Sequence, residues 1–130
     1  MIVLDASVVV ELLMNSSLGA MLKRQIQAQD DAFAVPHLLD VDVASALRTL
    51  AAAGRIGTHE SAQFLRALTE LPAERYSHAP LLRRAWQLRH RFTANDAMYV
   101  ALAEATDSVL YTCDAKLCKG HNARVVLFPR

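Results

Sequence analysis

MIVLDASVVVELL (residues 1–13) begins with four apolar residues, meets a carboxylate at Asp5, and then resumes its apolar run, broken only by Ser7 and Glu11. Residues 2–5 read as a short buried strand, and a helix follows to about Met14, where the polar Asn15-Ser16-Ser17 stops it. The negative charge falls at the end of what should be the most buried strand. An unpaired buried carboxylate costs several kcal/mol or takes up a proton. Asp5 therefore caps something, sits at an open edge of the sheet, or holds a cation.

The same alternation continues along the chain. Ser17 is placed to cap a helix over residues 18–29 with Leu18, Leu22 and Ile26 on one face. Residues 32–35 read as a strand ended by Pro36. Leu39, Val43, Leu47 and Leu50 mark one face of a long helix that Gly54 terminates. Thr58 can cap a helix to about Leu71, which Pro72 closes. A weak strand near 75–77 precedes a helix from Pro80 to about His90. Thr93 caps a helix to Ala105, and Val109–Thr112 is a strand. A helical turn over 114–119, a loop over 120–122 and a strand over 124–128 complete the chain. Short apolar strands alternating with helices indicate an α/β domain with a largely parallel sheet. In such sheets ligands bind beyond the carboxyl ends of the strands.

The chain has 130 residues, enough for one domain spanning residues 1–130, and its 53% hydrophobic and 21% charged composition is globular. Its apolar runs are too short to span a bilayer, and a strand starting at Ile2 leaves no room for a signal peptide. A cytoplasmic protein is expected, with Cys113 and Cys118 reduced. The net charge of +1 does not announce a nucleic-acid binder. Arg83, Arg84, Arg89, His90 and Arg91 cluster, and alone they read as a solvated helix face.

Four acids stand out. Asp5 ends the first strand, Asp114 follows the strand VLYT, and Asp96 and Asp42 lie in the first turns of their helices. In a parallel sheet, strand ends and the helix starts that follow share one rim. Singly, Asp5 and Asp114 are ordinary caps, and Asp96 completes Thr-x-x-Asp after Thr93, close to a capping box. Asp42 lies past the cap position, for which Asp40 is the better candidate. Two carboxylates ~4 Å apart repel by roughly 4 kcal/mol at an effective dielectric of 20. Several on one rim would strain a domain of ordinary stability, and a divalent cation removes that strain. Oxygen ligands suit Mg²⁺ or Mn²⁺ rather than zinc. Such an ion lowers the pKa of bound water and neutralises phosphate charge, the usual requirement for phosphodiester hydrolysis.

MIVLDASVVVELL, VPHLLDVDVASALRTL (35–50), TANDAMYVALAEA (93–105) and VLYTCDAKL (109–117) together resemble the four motifs of the PIN domain, in order and across nearly the whole chain. More narrowly they resemble the VapC toxins of type II toxin–antitoxin systems. The resemblance implies a three-layer α/β/α PIN-like domain with a central, mainly parallel sheet of four to five strands. It implies a Mg²⁺- or Mn²⁺-dependent endoribonuclease that cuts structured RNA such as tRNA or rRNA, forms a homodimer and is inhibited by a cognate VapB-type antitoxin. The motif positions carry the catalytic role onto Asp5, Asp42, Asp96 and Asp114, with Asp5, Asp96 and Asp114 holding the metal. The second acid of the family is commonly glutamate. Asp42 is one methylene shorter, so its contact with the ion is either direct or through a water.

Other residues take supporting roles on this reading. Ser7 can hydrogen-bond a carboxylate, a water or the phosphate, or stabilise the first helical turn. Thr112 is expected to brace the Asp114 turn. Asn95 can donate to a substrate oxygen or help start its helix. Arg89 and Arg91 can meet an RNA backbone. Leu82, Trp86 and Leu88 read as core or interface, and His37 as a loop residue. The spacing Cys113-x4-Cys118-x2-His121 lacks a fourth zinc ligand. No Gly-x-Gly fingerprint follows the first strand, and Ser7 stands where an aspartyl phosphatase places a second acid. One alternative stays open: a catalytically silent PIN-like module that binds protein or RNA.

Overall fold

The computed structural model describes residues 1–130. Five strands, β1 (Ile2–Leu4), β2 (Phe33–Pro36), β3 (Ala73–Tyr76), β4 (Val109–Thr112) and β5 (Arg124–Leu127), form one sheet in the order β3-β2-β1-β4-β5. Every neighbouring pair is parallel. Six α-helices connect them: α1 (Ala6–Met14), α2 (Ser17–Gln29), α3 (Leu38–Ala52), α4 (Thr58–Thr69), α5 (Leu82–Gln87) and α6 (Ala94–Ala105). Helices α1 to α4 pack among themselves, α5 packs on α6, and α6 lies against β1, β2 and β4. The sheet sits between the two helical groups, as the three-layer α/β expectation requires. No helix is long and apolar enough to cross a membrane.

The core follows from this layering. Ile2, Val3 and Leu4 are all buried, because the central strand has a helical layer over each face. In α3 the predicted stripe holds: Leu39, Val43 and Leu47 are buried, and the helix ends just before Gly54, whose φ is +72°. Helix α2 crosses α1 closely at Gly19, where an added Cβ would clash with the Glu11 carbonyl oxygen.

Local differences from the sequence reading have identifiable causes. Ser16, not Ser17, caps α2, accepting from the Gly19 N–H at 2.9 Å. Gly57 precedes α4, and the Glu60 carboxylate takes its N–H at 3.0 Å, so Thr58 falls inside the first turn. Asp40 is not a cap. Arg75 of β3 holds it through two 2.9 Å bonds, and the cap of α3 comes from afar, with His78 Nε2 accepting from the Leu38 N–H at 2.8 Å. Strand β3 starts directly after Pro72 rather than at 75. The helix expected over 80–90 divides into a 3₁₀ turn at Ala79–Leu81, the short α5, and a tight turn. In that turn the Leu88 carbonyl accepts from both Arg91 and Phe92, which buries Leu88 and Phe92 together. Trp86 and Leu82 are not core: they are 68% and 55% exposed.

Candidate active site

β1 is flanked by β2 on one side and β4 on the other, so the strand order reverses beside it. A crevice at the carboxyl ends of the strands is expected at such a switch point. Asp5 leaves the end of β1 and Asp114 follows β4, which places both acids there. The side-chain contacts join them.

Asp5 is nearly fully buried. One carboxylate oxygen accepts from Ser7 Oγ at 2.5 Å and from the Val8 N–H at 3.2 Å. The other accepts from Thr112 Oγ1 at 2.5 Å. Burial pushes the Asp5 pKa above the ordinary aspartate range, while the Ser7 and Thr112 hydroxyls and the Val8 amide pull it back. Asp5 also caps α1, so the cap and site readings of this residue are compatible. Ser7 does double duty: its oxygen also accepts from the Cys113 N–H at 3.0 Å and straps α1 to the turn after β4.

Thr112 carries the connection onward, since its hydroxyl oxygen accepts from the Asp114 N–H at 3.0 Å. Asp114 caps the 3₁₀ turn Ala115–Cys118 by accepting from the Lys116 N–H at 3.1 Å. The Lys116 ammonium then lies 3.4 Å from Asp114 Oδ2 and 3.3 Å from Asp96 Oδ2. Asp96, in the first turn of α6, is fixed by the Thr93 cap, whose Oγ1 accepts its N–H at 3.2 Å. Continuous contacts thus run from Asp5 through Thr112 and Asp114 to Lys116 and Asp96. The hydrogen bond to Asp96 and the charges of both aspartates raise the Lys116 pKa.

Asp42 enters from α3. Tyr99 donates its hydroxyl to Asp42 Oδ2 at 2.7 Å, and the Asn95 amide donates to Oδ1 at 3.2 Å. Asn95 therefore reaches across to α3 rather than serving the start of its own helix. The Tyr99 pKa is driven far up by burial, by the bond to Asp42, and by the charges of Asp42, Asp5 and Asp96. Tyr99 thus feels three of the four acids at once.

No three His, Cys, Asp or Glu side chains stand close enough together to form a ligand cage. Each acid has taken another partner: hydroxyls for Asp5, Tyr99 and Asn95 for Asp42, and the Lys116 ammonium for Asp96 and Asp114. The donor set is nevertheless all oxygen and strongly negative, and two of its members already share one cation. By chemistry it fits a hard divalent ion.

Sequence reasoning missed Tyr99 and Lys116. The available signals were the i, i+4 spacing of Asn95 and Tyr99 on α6 and the position of Lys116 two residues after Asp114. Arg89 and Arg91 are both exposed. The Arg89 guanidinium lies 4.6 Å from the Trp86 ring centroid, and the Arg91 stem lies against Gly120. His37 is an exposed turn residue. Both ring nitrogens of His121 are engaged, by the Leu117 carbonyl and the Ala123 N–H. Cys113 and Cys118 are free thiols, and burial raises the Cys113 pKa.

The surface carries two concavities. One runs between α1 and α3, lined by Ala6, Val10, Met14 and Leu50 with Glu11, Arg55 and Arg130 at its polar margin, and it touches the acid network at Ser7. The other lies on the α5 face, around Leu82, Trp86, Phe92 and Met98.

The PIN domain family model matches residues 2–121. Ribonuclease VapC12 of Mycobacterium tuberculosis is 38% identical over 129 residues, covering 98% of this chain and 98% of the relative. Ribonuclease VapC1 of the same organism is 40% identical over 116 residues, covering 88% of this chain and 86% of the relative. Among solved structures, a toxin–antitoxin complex from Klebsiella pneumoniae shares the fold, with a TM-score of 0.71 at 17% identity over 97% of this chain and 96% of that one.

Proposed function

This chain belongs to the PIN-domain family, and from that premise we propose that it is a Mg²⁺- or Mn²⁺-dependent endoribonuclease, the toxin of a VapBC pair, cutting structured RNA such as tRNA or rRNA. The relatives' name, ribonuclease, supports the activity. The observation that carries the reading is the run of contacts that joins carboxylates from separate parts of the chain at one sheet rim.

On this reading Asp5, Asp96 and Asp114 hold the ion, and Asp42 meets it directly or through a water. A bound Mg²⁺ or Mn²⁺ supplies charge neutralisation at the phosphate and a lowered pKa for water. The protein's own part is placement. Ser7, Val8 and Thr112 fix the Asp5 carboxylate, and Tyr99 and Asn95 fix Asp42, so these two side chains are held in place. Ser7 and Asn95 are the further candidates for contact with an RNA strand laid over the rim. Exposed Arg89 and Arg91 offer sequence-independent phosphate contacts.

The apolar groove between α1 and α3 suits an amphipathic helix, and we assign it to a cognate VapB-type antitoxin. The exposed Leu82 and Trp86 on the α5 face suit the interface of a homodimer. The site of action is the cytoplasm, where cellular RNA is found.

The rival reading is a catalytically silent binding module. Its support is that every acid already has a protein partner and no ligand cage is formed. Cleavage of a total cellular RNA pool with mapped ends separates the two. Wild type in Mg²⁺ or Mn²⁺ is expected to give discrete new ends, while EDTA, Asp5→Ala and Asp96→Asn give none. RNA left intact by wild type in both metals would overturn the nuclease reading and favour the binding module.

A further inference from the structure

Lys116 is the one cation inside the acidic rim. Its ammonium stands 3.3 Å from Asp96 and 3.4 Å from Asp114, two of the three acids assigned to the metal. Its backbone is fixed, because the Asp114 side chain accepts its N–H at 3.1 Å. The side chain is 61% exposed and runs on a flexible four-carbon stem, so the ammonium can leave while the main chain stays. A divalent ion drawing on the same Oδ2 atoms competes with the ammonium for them. The ion brings twice the charge to oxygens that Lys116 already neutralises, and like charges at that distance repel.

We propose that Lys116 is a positioning residue that stands in for the metal, holding the Asp96 and Asp114 carboxylates together until a divalent ion displaces it. The inference rests on the metal-dependent reading above. Lys116 thereby sets the metal affinity of the site: each ion that binds must first break two ion pairs. Displacement also leaves a tethered positive charge at the mouth of the rim.

The test is calorimetric titration of the full-length protein with Mn²⁺ alone, comparing wild type with Lys116→Met and Lys116→Arg, without RNA. Lys116→Met keeps the stem and removes the charge. It is expected to bind Mn²⁺ with a Kd about fivefold lower than wild type, the size of one or two exposed ion pairs. Lys116→Arg, which keeps the charge, is expected to stay near wild type. In EDTA, Lys116→Met is expected to melt below wild type, because the two carboxylates lose their shared counter-ion. Loss of a merely structural contact would not tighten Mn²⁺ binding. Equal or weaker Mn²⁺ binding by Lys116→Met, with wild type binding normally, overturns the role of Lys116 and leaves the metal site standing. No Mn²⁺ binding by any of the three proteins overturns the metal reading itself, and the role of Lys116 with it.

Discussion

Thr112 is 0% exposed, and its single hydroxyl serves two acids, donating to Asp5 and accepting from the Asp114 N–H. Thr112→Val keeps the shape and removes both bonds, leaving a buried carboxylate short of a donor. A loss of about 2 kcal/mol in denaturant unfolding is expected, with Thr112→Ser recovering most of it. Tyr99 makes a more selective case. Tyr99→Phe removes one donor to Asp42 and leaves Asn95 in place, so stability should fall by about 1 kcal/mol. RNA cleavage should fall about tenfold, since Asp42 loses its anchor rather than its charge. An unchanged rate would mean that the Tyr99 bond is not needed to place Asp42. The four acids could be picked out in the sequence as candidates because charge interrupts apolar strands and helix starts. Tyr99 was not legible in its role, since a buried aromatic on a helix looks like packing, and Thr112 was legible as the brace of the Asp114 turn but not as a donor to Asp5. Their partners lie 57 and 107 positions away in the chain.

Helix α6 carries Asn95, Asp96 and Tyr99, so its seating matters to the site. Glu104 on its far turn accepts from Arg84 of α5 at 2.6 and 3.0 Å and from the Asn122 N–H at 2.8 Å. It thereby ties α6, α5 and the loop before β5. The Arg84 guanidinium, and secondarily the Asn122 amide, hold the Glu104 carboxyl below its usual 4.5. A carboxylate with a lowered folded pKa contributes stability above its unfolded pKa and loses it as pH falls through the folded one. Glu104→Gln should therefore be less stable than wild type by about 1 kcal/mol at pH 7, discounted for the partial exposure of Arg84. The difference should close as pH drops below 4.5. Paired denaturation curves at neutral and acid pH check this, and a gap that persists at low pH would assign it to packing instead. Element order and type were legible in the apolar periodicity. Caps were harder, because the group that caps α3 is His78, and α4 is capped by a glutamate inside its own first turn. Which of core or interface Trp86 belongs to was not legible either, since an apolar side chain carries no mark of which side it faces.

At the scale of the whole molecule, the parallel alternation announced that strand ends share a rim, but not the strand order. The order β3-β2-β1-β4-β5 puts β1 beside β4, and this adjacency brings Asp5 within reach of Thr112. Long-range pairing of that kind depends on how the entire sheet closes, which no local window contains. The proposed function depends on one consequence of that topology: contacts link acids from distant segments at one rim, where a divalent ion is expected to bind. Thermal melting in EDTA and in Mn²⁺, on wild type and Asp96→Asn, measures it directly. Ion at about 100 times its Kd stabilises the folded state by about 2.7 kcal/mol, so wild type should melt several degrees higher in Mn²⁺ and Asp96→Asn should not move. A wild-type melting temperature indifferent to Mn²⁺, or the same rise in Asp96→Asn, would contradict it.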